Sequence, residues 1–314
     1  MQRCVICGDH LALLRTSYDD RYGYPGLFSI LKCGACGHKS LDAHFTPEEL
    51  GRLYTEFYPR SRFSLEDYTP SVELSGFRAW IEGAKSSAFR WVPRDVRILD
   101  IGCGFGETLG YHKMRGCDVY GVEADENIKR VAEKYGYNVH VGVFTPGNYE
   151  TEFFDYVTMD QVVEHLSDPI ATFQGVARVT KPGGTVIIST PNSNGWGSHL
   201  FGARWISWHI PYHLQFFSKT SMSIAAEKSG FVIEKVKTIT DSAYLCLQWN
   251  HIKFRPPEGF INRFWIPNQK LTRYEKTYAK AMTALNLFKV NQGITRFFDS
   301  TGFGDNFVFV LRKK

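Results

Sequence analysis

Residues 96–106 read Val-Arg-Ile-Leu-Asp-Ile-Gly-Cys-Gly-Phe-Gly, an apolar segment that runs into a glycine-rich turn. The apolar residues predict a buried strand, and the residues from Glu107 to Met114 predict the helix that follows the turn. Glycines let the backbone approach a bound nucleotide, and a helix start offers free N–H groups to it. The segment therefore predicts a nucleotide-binding strand, turn and helix.

The spacing of the turn distinguishes between two kinds of nucleotide. Asp100 precedes glycines at Gly102, Gly104 and Gly106, whereas the dinucleotide fingerprint is Gly-x-Gly-x-x-Gly. Asp100 ends the strand, where its carboxylate can hold the ammonium group of a methionine moiety. Glu123 ends the next strand, where it can accept hydrogen bonds from both ribose hydroxyls. These features favour S-adenosylmethionine as the cofactor.

Further strands and helices alternate after this turn. Residues 153–160 and 185–190 are apolar strand patterns, and residues 169–180 between them predict a helix. Two more strands are expected at about residues 231–239 and 307–311. Alternating strands and helices are typical of an α/β fold with a doubly wound sheet.

Three motifs together resemble the class I S-adenosylmethionine-dependent methyltransferase family, in the branch related to ubiquinone and sugar methyltransferases. They are Asp-Ile-Gly-Cys-Gly-Phe-Gly from Asp100, Val-Val-Glu-His-Leu-x-Asp-Pro from Val162 and Lys-Pro-Gly-Gly-x-Val from Lys181. The resemblance covers residues 95–240 and the last strand. It implies a Rossmann-like, seven-stranded sheet whose last strand is antiparallel.

The resemblance also implies which residues contact the cofactor. Phe144 stands where the family often has an acid near the adenine, so contact there is expected through backbone or ring stacking. The full expected set is Asp100, Gly102, Cys103, Gly104, Gly106, Glu123, Ala124, Phe144, Asp160, Gln161, Val162 and His165.

Four of the seven cysteines lie in two short motifs near the amino terminus, Cys4-x2-Cys7 and Cys33-x2-Cys36. A glycine follows each pair and permits the tight turn that brings two thiolates to one metal ion. Four thiolates close a tetrahedral shell, which predicts a structural zinc ribbon. Two unmetallated turns, or a redox pair, are the alternatives.

Three histidines and a tyrosine are candidates for the base that takes the proton of the acceptor. His209 and His213 follow the strand over residues 185–190, and His165 precedes it. His213 is the first candidate, with His165, His209 and Tyr212 as further ones, although His213 could instead cap the helix near Ser218. The segment around His213 resembles a stretch of zinc-containing deoxysugar C-methyltransferases. Tyr212 replaces a glutamate of that stretch, which favours O-methylation over C-methylation.

The sequence predicts four parts. They are a zinc ribbon (1–45), a helical, aromatic-rich connector (46–92), a methyltransferase core (93–240 plus 303–314) and a helical insertion (241–302). One helix is expected over about residues 71–90 of the connector and another from Asn268 to Leu287 of the insertion. The insertion is a candidate lid or homodimer interface. Its cations suggest a face for an anionic acceptor, the alternative being a solvated face; they are Lys270, Arg273, Lys276 and Lys280.

Composition narrows the function class. The chain has 314 residues, 43% of them hydrophobic, and a net charge of +5 without a clustered basic stripe. Disorder and a membrane partner are excluded, a cytoplasmic location is expected, and nucleic acid is not expected as a partner. The predicted function is methylation of a small hydroxylated metabolite, as O-methylation of a sugar, nucleotide-sugar or natural-product intermediate. A deoxysugar C-methyltransferase, or an RNA methyltransferase whose ribbon grips RNA, is the alternative.

Overall fold

The computed structural model describes residues 2–43, 45–58, 64–66, 68–266 and 270–314. In this part of the chain the strands are β1 (Leu11–Ser17), β2 (Phe28–Cys33), β3 (Lys39–Asp42), β4 (Arg97–Ile101), β5 (Asp118–Glu123), β6 (Asn138–Val141), β7 (Phe154–Asp160), β8 (Thr180–Pro191), β9 (Gln215–Phe216), β10 (Phe231–Thr238) and β11 (Asn306–Lys313). The α-helices are α1 (Pro47–Arg52), α2 (Gly76–Glu82), α3 (Glu107–Lys113), α4 (Ile128–Tyr135), α5 (Pro169–Val179), α6 (Trp196–Phe201), α7 (Lys219–Lys228), α8 (Ser242–Lys253), α9 (Arg273–Leu287) and α10 (Val290–Ser300). Shorter helical turns lie at Leu53–Phe57, Ala84–Ser86, Ala88–Trp91, Pro146–Asn148, Val163–His165, Gly202–Arg204, Ile206–Trp208 and Arg263–Trp265.

A seven-stranded sheet forms the centre of the fold, in the order β10-β11-β8-β7-β4-β5-β6. β4 pairs in parallel with β5 and β7, whereas β11 pairs antiparallel with β8 and β10. The chain therefore winds outward from β4 in both directions, and the carboxyl ends of the parallel strands meet at one edge. The predicted doubly wound α/β sheet with an antiparallel last strand is confirmed.

Both faces of this sheet are buried. Ile98 and Val308 pack into the apolar cluster on one face, and their neighbours Leu99 and Phe309 pack into the cluster on the other. Side chains alternate between the two faces of a strand, so a strand buried on both faces needs an unbroken apolar run. This is why the segment before the glycine-rich turn has no polar alternation.

The amino-terminal segment is joined to the rest of the molecule through a shared sheet. β1, β2 and β3 form an antiparallel sheet whose fourth strand is β9, from far along the chain. Three of the four cysteines, with Ile6, belong to the same apolar cluster as Phe217. Lys228 of α7 also donates a hydrogen bond to the Ile6 carbonyl at 2.6 Å. The predicted ribbon segment is thus attached to the rest of the molecule through β9 and α7.

Two helices are shorter than predicted. The helix predicted over 71–90 is α2 followed by separate short turns, because Gly83 takes a φ of 71° and ends α2. The helix predicted from Asn268 is α9, which begins at Arg273 because the Thr272 hydroxyl accepts a hydrogen bond from the Glu275 amide at 3.3 Å. Asn268 itself, and parts of the connector, lie outside the described residues.

The segment between β10 and β11 folds into α8, α9 and α10. Arg296 of α10 donates to the carbonyls of Trp80 and Thr240, and it forms an ion pair with Asp299 at 2.8 Å. These bonds attach the insertion to α2 and to the end of β10. No helix in the described ranges is long and apolar enough to span a bilayer.

Candidate active site

The glycine-rich turn follows β4 at the carboxyl edge of the sheet. Gly102, Gly104 and Gly106 all have positive φ, of 75°, 56° and 85°. A side chain at Gly102 would collide with Val162, since a Cβ there would lie 2.5 Å from Val162 Cγ2. Among the described residues, a Cβ at Gly104 would instead meet only the Glu107 carboxylate, at 3.8 Å. The turn is therefore packed tightly at Gly102, against Val162. It leaves open space at Gly104, a cradle that a ligand can enter.

Glu123 lies beside this cradle at the end of β5. Its Oε2 accepts a hydrogen bond from the Gly104 amide at 2.9 Å, and its Oε1 accepts one from the Asp125 amide at 2.9 Å. Each carboxylate oxygen can accept a further bond, so this acid suits a pair of ribose hydroxyls. The residues present thus fit the nucleoside of S-adenosylmethionine.

Asp100 is buried beneath the turn, with 1% of its surface exposed. Thr108 donates to its Oδ2 at 2.5 Å and Thr158 donates to its Oδ1 at 2.6 Å. Burial raises the pKa of Asp100 to about 7, although both hydroxyl bonds favour the charged form. In this arrangement Asp100 ties α3 to β7, and its predicted contact with the methionine moiety stays a prediction.

The ends of β7, β8 and β11 form a polar network. Gln161 has a φ of 58°, and its amide group donates to Ser189 Oγ at 3.2 Å and to Asn306 Oδ1 at 3.0 Å. Asp160 accepts a hydrogen bond from the Ser189 hydroxyl. Burial raises the pKa of Asp160 to about 6, against hydrogen bonds from Ser189 and the backbone of Ala88 and Phe89.

A cavity of about 270 Å³ opens from this network. Three aspartates line it, together with neutral polar groups and aromatic rings. Burial raises the pKa of Asp241, and it raises the pKa of Asp305 to about 7. The lining residues are Ser86, Ser87, Asp160, Gln161, Pro191, Trp196, Phe201, Ile206, Ser207, Thr240, Asp241, Tyr244, Leu245, Gln248, Asp305 and Asn306.

The predicted catalytic residues form a cluster behind one wall of this cavity. His165 and His213 have ring centroids 4.8 Å apart, and His209 lies 4.9 Å from His213 and 4.8 Å from Tyr212. Burial lowers the pKa of all three histidines. The structure brings these four residues together, but none of them is among the lining residues.

Several cavity residues were not predicted from the sequence. Ser86, Asp241, Tyr244, Gln248 and Asp305 come from the connector, the insertion and the residue just before β11. No spacing links such distant positions. The one local signal is at Asp241, whose side chain accepts a hydrogen bond from the Ala243 amide at the start of α8.

The four amino-terminal cysteines lie close enough to share one ion. Their sulfur atoms are all within 4.8 Å of one another, with Cys4 3.6 Å from Cys36 and Cys7 3.4 Å from Cys33. Tetrahedral zinc with bonds of about 2.3 Å separates its sulfurs by about 3.8 Å. The predicted ligand set therefore fits zinc.

The predicted cationic face lies away from the cavity. Arg273, Lys276 and Lys280 of α9 are exposed, as is Lys270 before the helix. Among the described residues that line the cavity there is no lysine or arginine. Contact of these cations with an acceptor stays a prediction.

The sheet order, the glycine-rich turn and the acid after it define a class I S-adenosylmethionine-dependent methyltransferase. The chain belongs to the methyltransferase domain family, whose profile matches residues 44–236.

Curated relatives match about half of the chain. A ubiquinone biosynthesis O-methyltransferase of Alkalilimnicola ehrlichii is 30% identical over 158 residues, which cover 46% of this chain and 64% of that protein. The protein of the same name from Aeromonas salmonicida is 26% identical, over 55% of this chain and 76% of its own length. The match thus spans less than two thirds of the first relative. A solved S-adenosylmethionine-dependent methyltransferase of Archaeoglobus fulgidus is 19% identical with a TM-score of 0.42, over 70% of this chain and 86% of its own.

Proposed function

We propose that this protein transfers the methyl group of S-adenosylmethionine to an oxygen atom of a small hydroxylated acceptor. The observation that carries the proposal is the cavity that begins at Asp160 and Gln161, at the end of β7. Ligands of open α/β sheets bind at the carboxyl ends of the strands, at the point where the order of the strands along the chain reverses. The cavity lies at this edge, next to the strand that carries the glycine-rich turn.

The cofactor's nucleoside would be held by the turn over residues 102–106 and by Glu123. Val162 supports the turn from below, through its close contact with Gly102. Asp160 and Gln161 lie at the end of β7, on the same edge of the sheet as the turn, and they line the cavity. When bound, S-adenosylmethionine supplies an electrophilic methyl group on a sulfonium sulfur, and that carbon–sulfur bond breaks as the new oxygen–carbon bond forms.

The acceptor's hydroxyl proton must leave as the oxygen forms its new bond, and Asp241 is placed to receive it. Asp241 lies on the cavity, and its Oδ1 accepts a hydrogen bond from the Ala243 amide at 2.9 Å. Among the described residues none donates to its Oδ2. Burial raises the pKa of this carboxyl, which makes it a stronger base than an exposed aspartate. We therefore assign the base to Asp241, in place of the predicted His213.

The cavity favours an uncharged, ring-shaped acceptor. Trp196, Phe201 and Tyr244 supply aromatic faces, and carboxylates accept hydrogen bonds from hydroxyl groups. Carboxylates disfavour an anion, so any phosphate of a nucleotide-sugar would have to lie outside. The relatives are named for ubiquinone biosynthesis. Their names favour a hydroxylated quinone precursor over the sugar predicted from the sequence, and they favour neither deoxysugar C-methylation nor RNA methylation.

The amino-terminal cysteines complete the proposal as a structural zinc site. Four thiolates would leave no open coordination position, so the ion would stabilise the fold and take no part in methyl transfer. In this assignment residues 1–45 form a ribbon that packs on the core, and residues 241–302 supply one side of the acceptor cavity.

Label transfer from methyl-labelled S-adenosylmethionine tests the proposal. The purified protein would be given hydroxylated aromatic quinone precursors, free sugars, nucleotide-sugars and total RNA in separate reactions. We expect label in a hydroxylated small molecule and none in RNA. Label in RNA alone would contradict the proposal and would indicate that the ribbon is an RNA-binding module.

A further inference from the structure

A second group of metal-ligand side chains lies apart from the cysteines. Glu164, His165 and His213 each present one ligand atom, and these three atoms lie within 4.8 Å of one another. Glu164 and His165 belong to the short turn after β7, and His213 lies in the segment before β9. The Leu214 amide donates to the Glu164 carbonyl at 2.7 Å, so the two segments are held side by side.

The two imidazole rings are oriented by backbone carbonyls. Nδ1 of His165 donates to the Tyr212 carbonyl at 2.9 Å, and Nδ1 of His213 donates to the Ser207 carbonyl at 2.9 Å. A carbonyl can only accept, so the proton is fixed on Nδ1 and Nε2 carries a lone pair. Within the described part of the chain neither Nε2 atom has a hydrogen-bond partner. Metal-binding histidines are usually oriented in this way.

The carboxylate of Glu164 independently suggests that a cation binds beside these histidines. Its side chain is fully buried, at 0% exposure, and Oε2 accepts a hydrogen bond from Thr190 at 3.0 Å. Oε1 has no partner among the described residues, and no lysine or arginine of that part of the chain forms an ion pair with it. A buried carboxylate with an unpaired oxygen is costly unless a cation or a proton compensates for it.

We propose that Glu164, His165 and His213 bind a divalent first-row transition-metal ion, with zinc the first candidate. Two histidines and one carboxylate form a recognised ligand set for such ions and leave coordination positions open. Ser207, whose carbonyl accepts the hydrogen bond from His213, and Gln161, three residues before Glu164 in the sequence, both line the acceptor cavity. The bound ion therefore fixes two segments of the cavity wall. This site is separate from the cysteine site, and its existence does not depend on the acceptor.

Metal content tests this assignment without any measurement of methyl transfer. The metal-free full chain would be loaded with Co²⁺ and freed of excess ion, and the cobalt per chain would then be measured. Glu164→Gln and His213→Gln should each bind one ion fewer than the unmodified protein. His112→Gln replaces a buried histidine of α3 that is not part of the site, and should bind the full number. Thiolate-to-cobalt charge-transfer absorption, which reports the cysteine site, should be the same in all four proteins.

Equal cobalt content in the unmodified protein and Glu164→Gln would overturn the proposal, and would mean that a proton occupies the carboxyl. A crystal structure of the cobalt-loaded, unmodified protein provides the second test, because it does not require a variant to fold. Anomalous scattering should show a cobalt ion between the three side chains. Its absence there, with cobalt present at the cysteines, would also overturn the assignment.

Discussion

At the scale of single residues, Glu123 is the clearest test of cofactor binding. Replacing Glu123 with alanine removes a charged acceptor that also holds the Gly104 amide at 2.9 Å. A hydrogen bond to a charged group contributes about 1.5–3 kcal/mol, so the loss of even one ribose contact should raise the Kd for S-adenosylmethionine by roughly 10-fold or more in titration calorimetry. Glu126→Ala is the control, since Glu126 is exposed and pairs only with Lys129 among the described residues. An unchanged Kd in Glu123→Ala would refute the predicted ribose contact.

Asp241 tests the assignment of the base. Asn can still cap α8 but cannot take up a proton, so Asp241→Asn should fold normally and lose roughly 10²- to 10⁴-fold in kcat. In the unmodified protein, kcat should rise with pH as the carboxyl, whose pKa is raised by burial, becomes ionised. That rise should be absent in the variant.

The control for this variant is Asp168→Asn. Asp168 caps α5 in the same manner, by accepting from the Ala171 amide at 2.9 Å, but is exposed and away from the cavity. It should keep the full rate and pH profile. If Asp241→Asn also keeps both, the base is another group, and the prediction for His213 becomes the one to test.

Local signals explain which site residues the sequence could predict. The glycines of the turn, the acid at Glu123 and the paired cysteines are recognisable because a few adjacent residues carry each pattern. The cavity is different, because Ser86, Asp160, Asp241 and Asp305 meet only after the sheet has formed. The histidines were visible as a group, but their separation from the cavity depends on how residues 206–214 pack.

At the scale of elements, the contact between β3 and the loop after β8 depends on one buried lysine. Lys39 Nζ donates to the Ser193 carbonyl at 3.0 Å, to Ser193 Oγ at 2.8 Å and to Asn194 Oδ1 at 2.8 Å. Burial lowers the pKa of Lys39 from 10.5 to about 8. Below pH 8 the lysine is charged in both the folded and the unfolded chain, so the cost of burying the charge is fully present.

Between pH 8 and 10.5 the folded protein releases this proton while the unfolded chain keeps it. The free energy of unfolding should therefore rise with pH across this window, by about 3 kcal/mol at most. Urea unfolding at several pH values should show the rise in the unmodified protein and in Lys32→Met, but not in Lys39→Met. Lys32 is the matched control because it is exposed and pairs directly with Lys39 across β2 and β3. Its charge lowers the pKa of Lys39 less than burial does, so Lys32→Met should make the rise smaller without abolishing it. A rise that persists in Lys39→Met would show that another group causes it.

Element types were predicted more accurately than element bounds. The helix α5 was expected over residues 169–180 and spans Pro169–Val179, because Asp168 and Pro169 mark its start. The helix predicted over 71–90 is broken because Gly83 takes a left-handed conformation, which glycine adopts without strain. β9 is only two residues long, and its pairing with β3 depends on tertiary packing that no local pattern records.

At the scale of the whole molecule, the cysteine site should stabilise the complete fold. Ser218 donates to the Cys36 carbonyl at 2.6 Å, and three of the cysteines pack in the main apolar cluster. Removing zinc with a chelator should therefore lower the Tm of one cooperative transition by several degrees. Calorimetry of Cys36→Ser should show the part of this loss that belongs to the cysteine site, because a chelator would also remove the ion proposed at Glu164, His165 and His213. Cys246→Ser, outside both sites, should keep its zinc and its Tm. Two separate transitions, of which only one responds to the chelator, would show that the segment folds independently.

The position of the transferred methyl group tests the central claim most directly. The protein would be incubated with S-adenosylmethionine labelled with ¹³C in its methyl group and with the hydroxylated acceptor found by label transfer, and the product would be examined by NMR. We predict that the labelled carbon resonates as a methyl ether, bonded to oxygen. A labelled methyl group bonded to carbon or nitrogen would contradict O-methylation in this cavity.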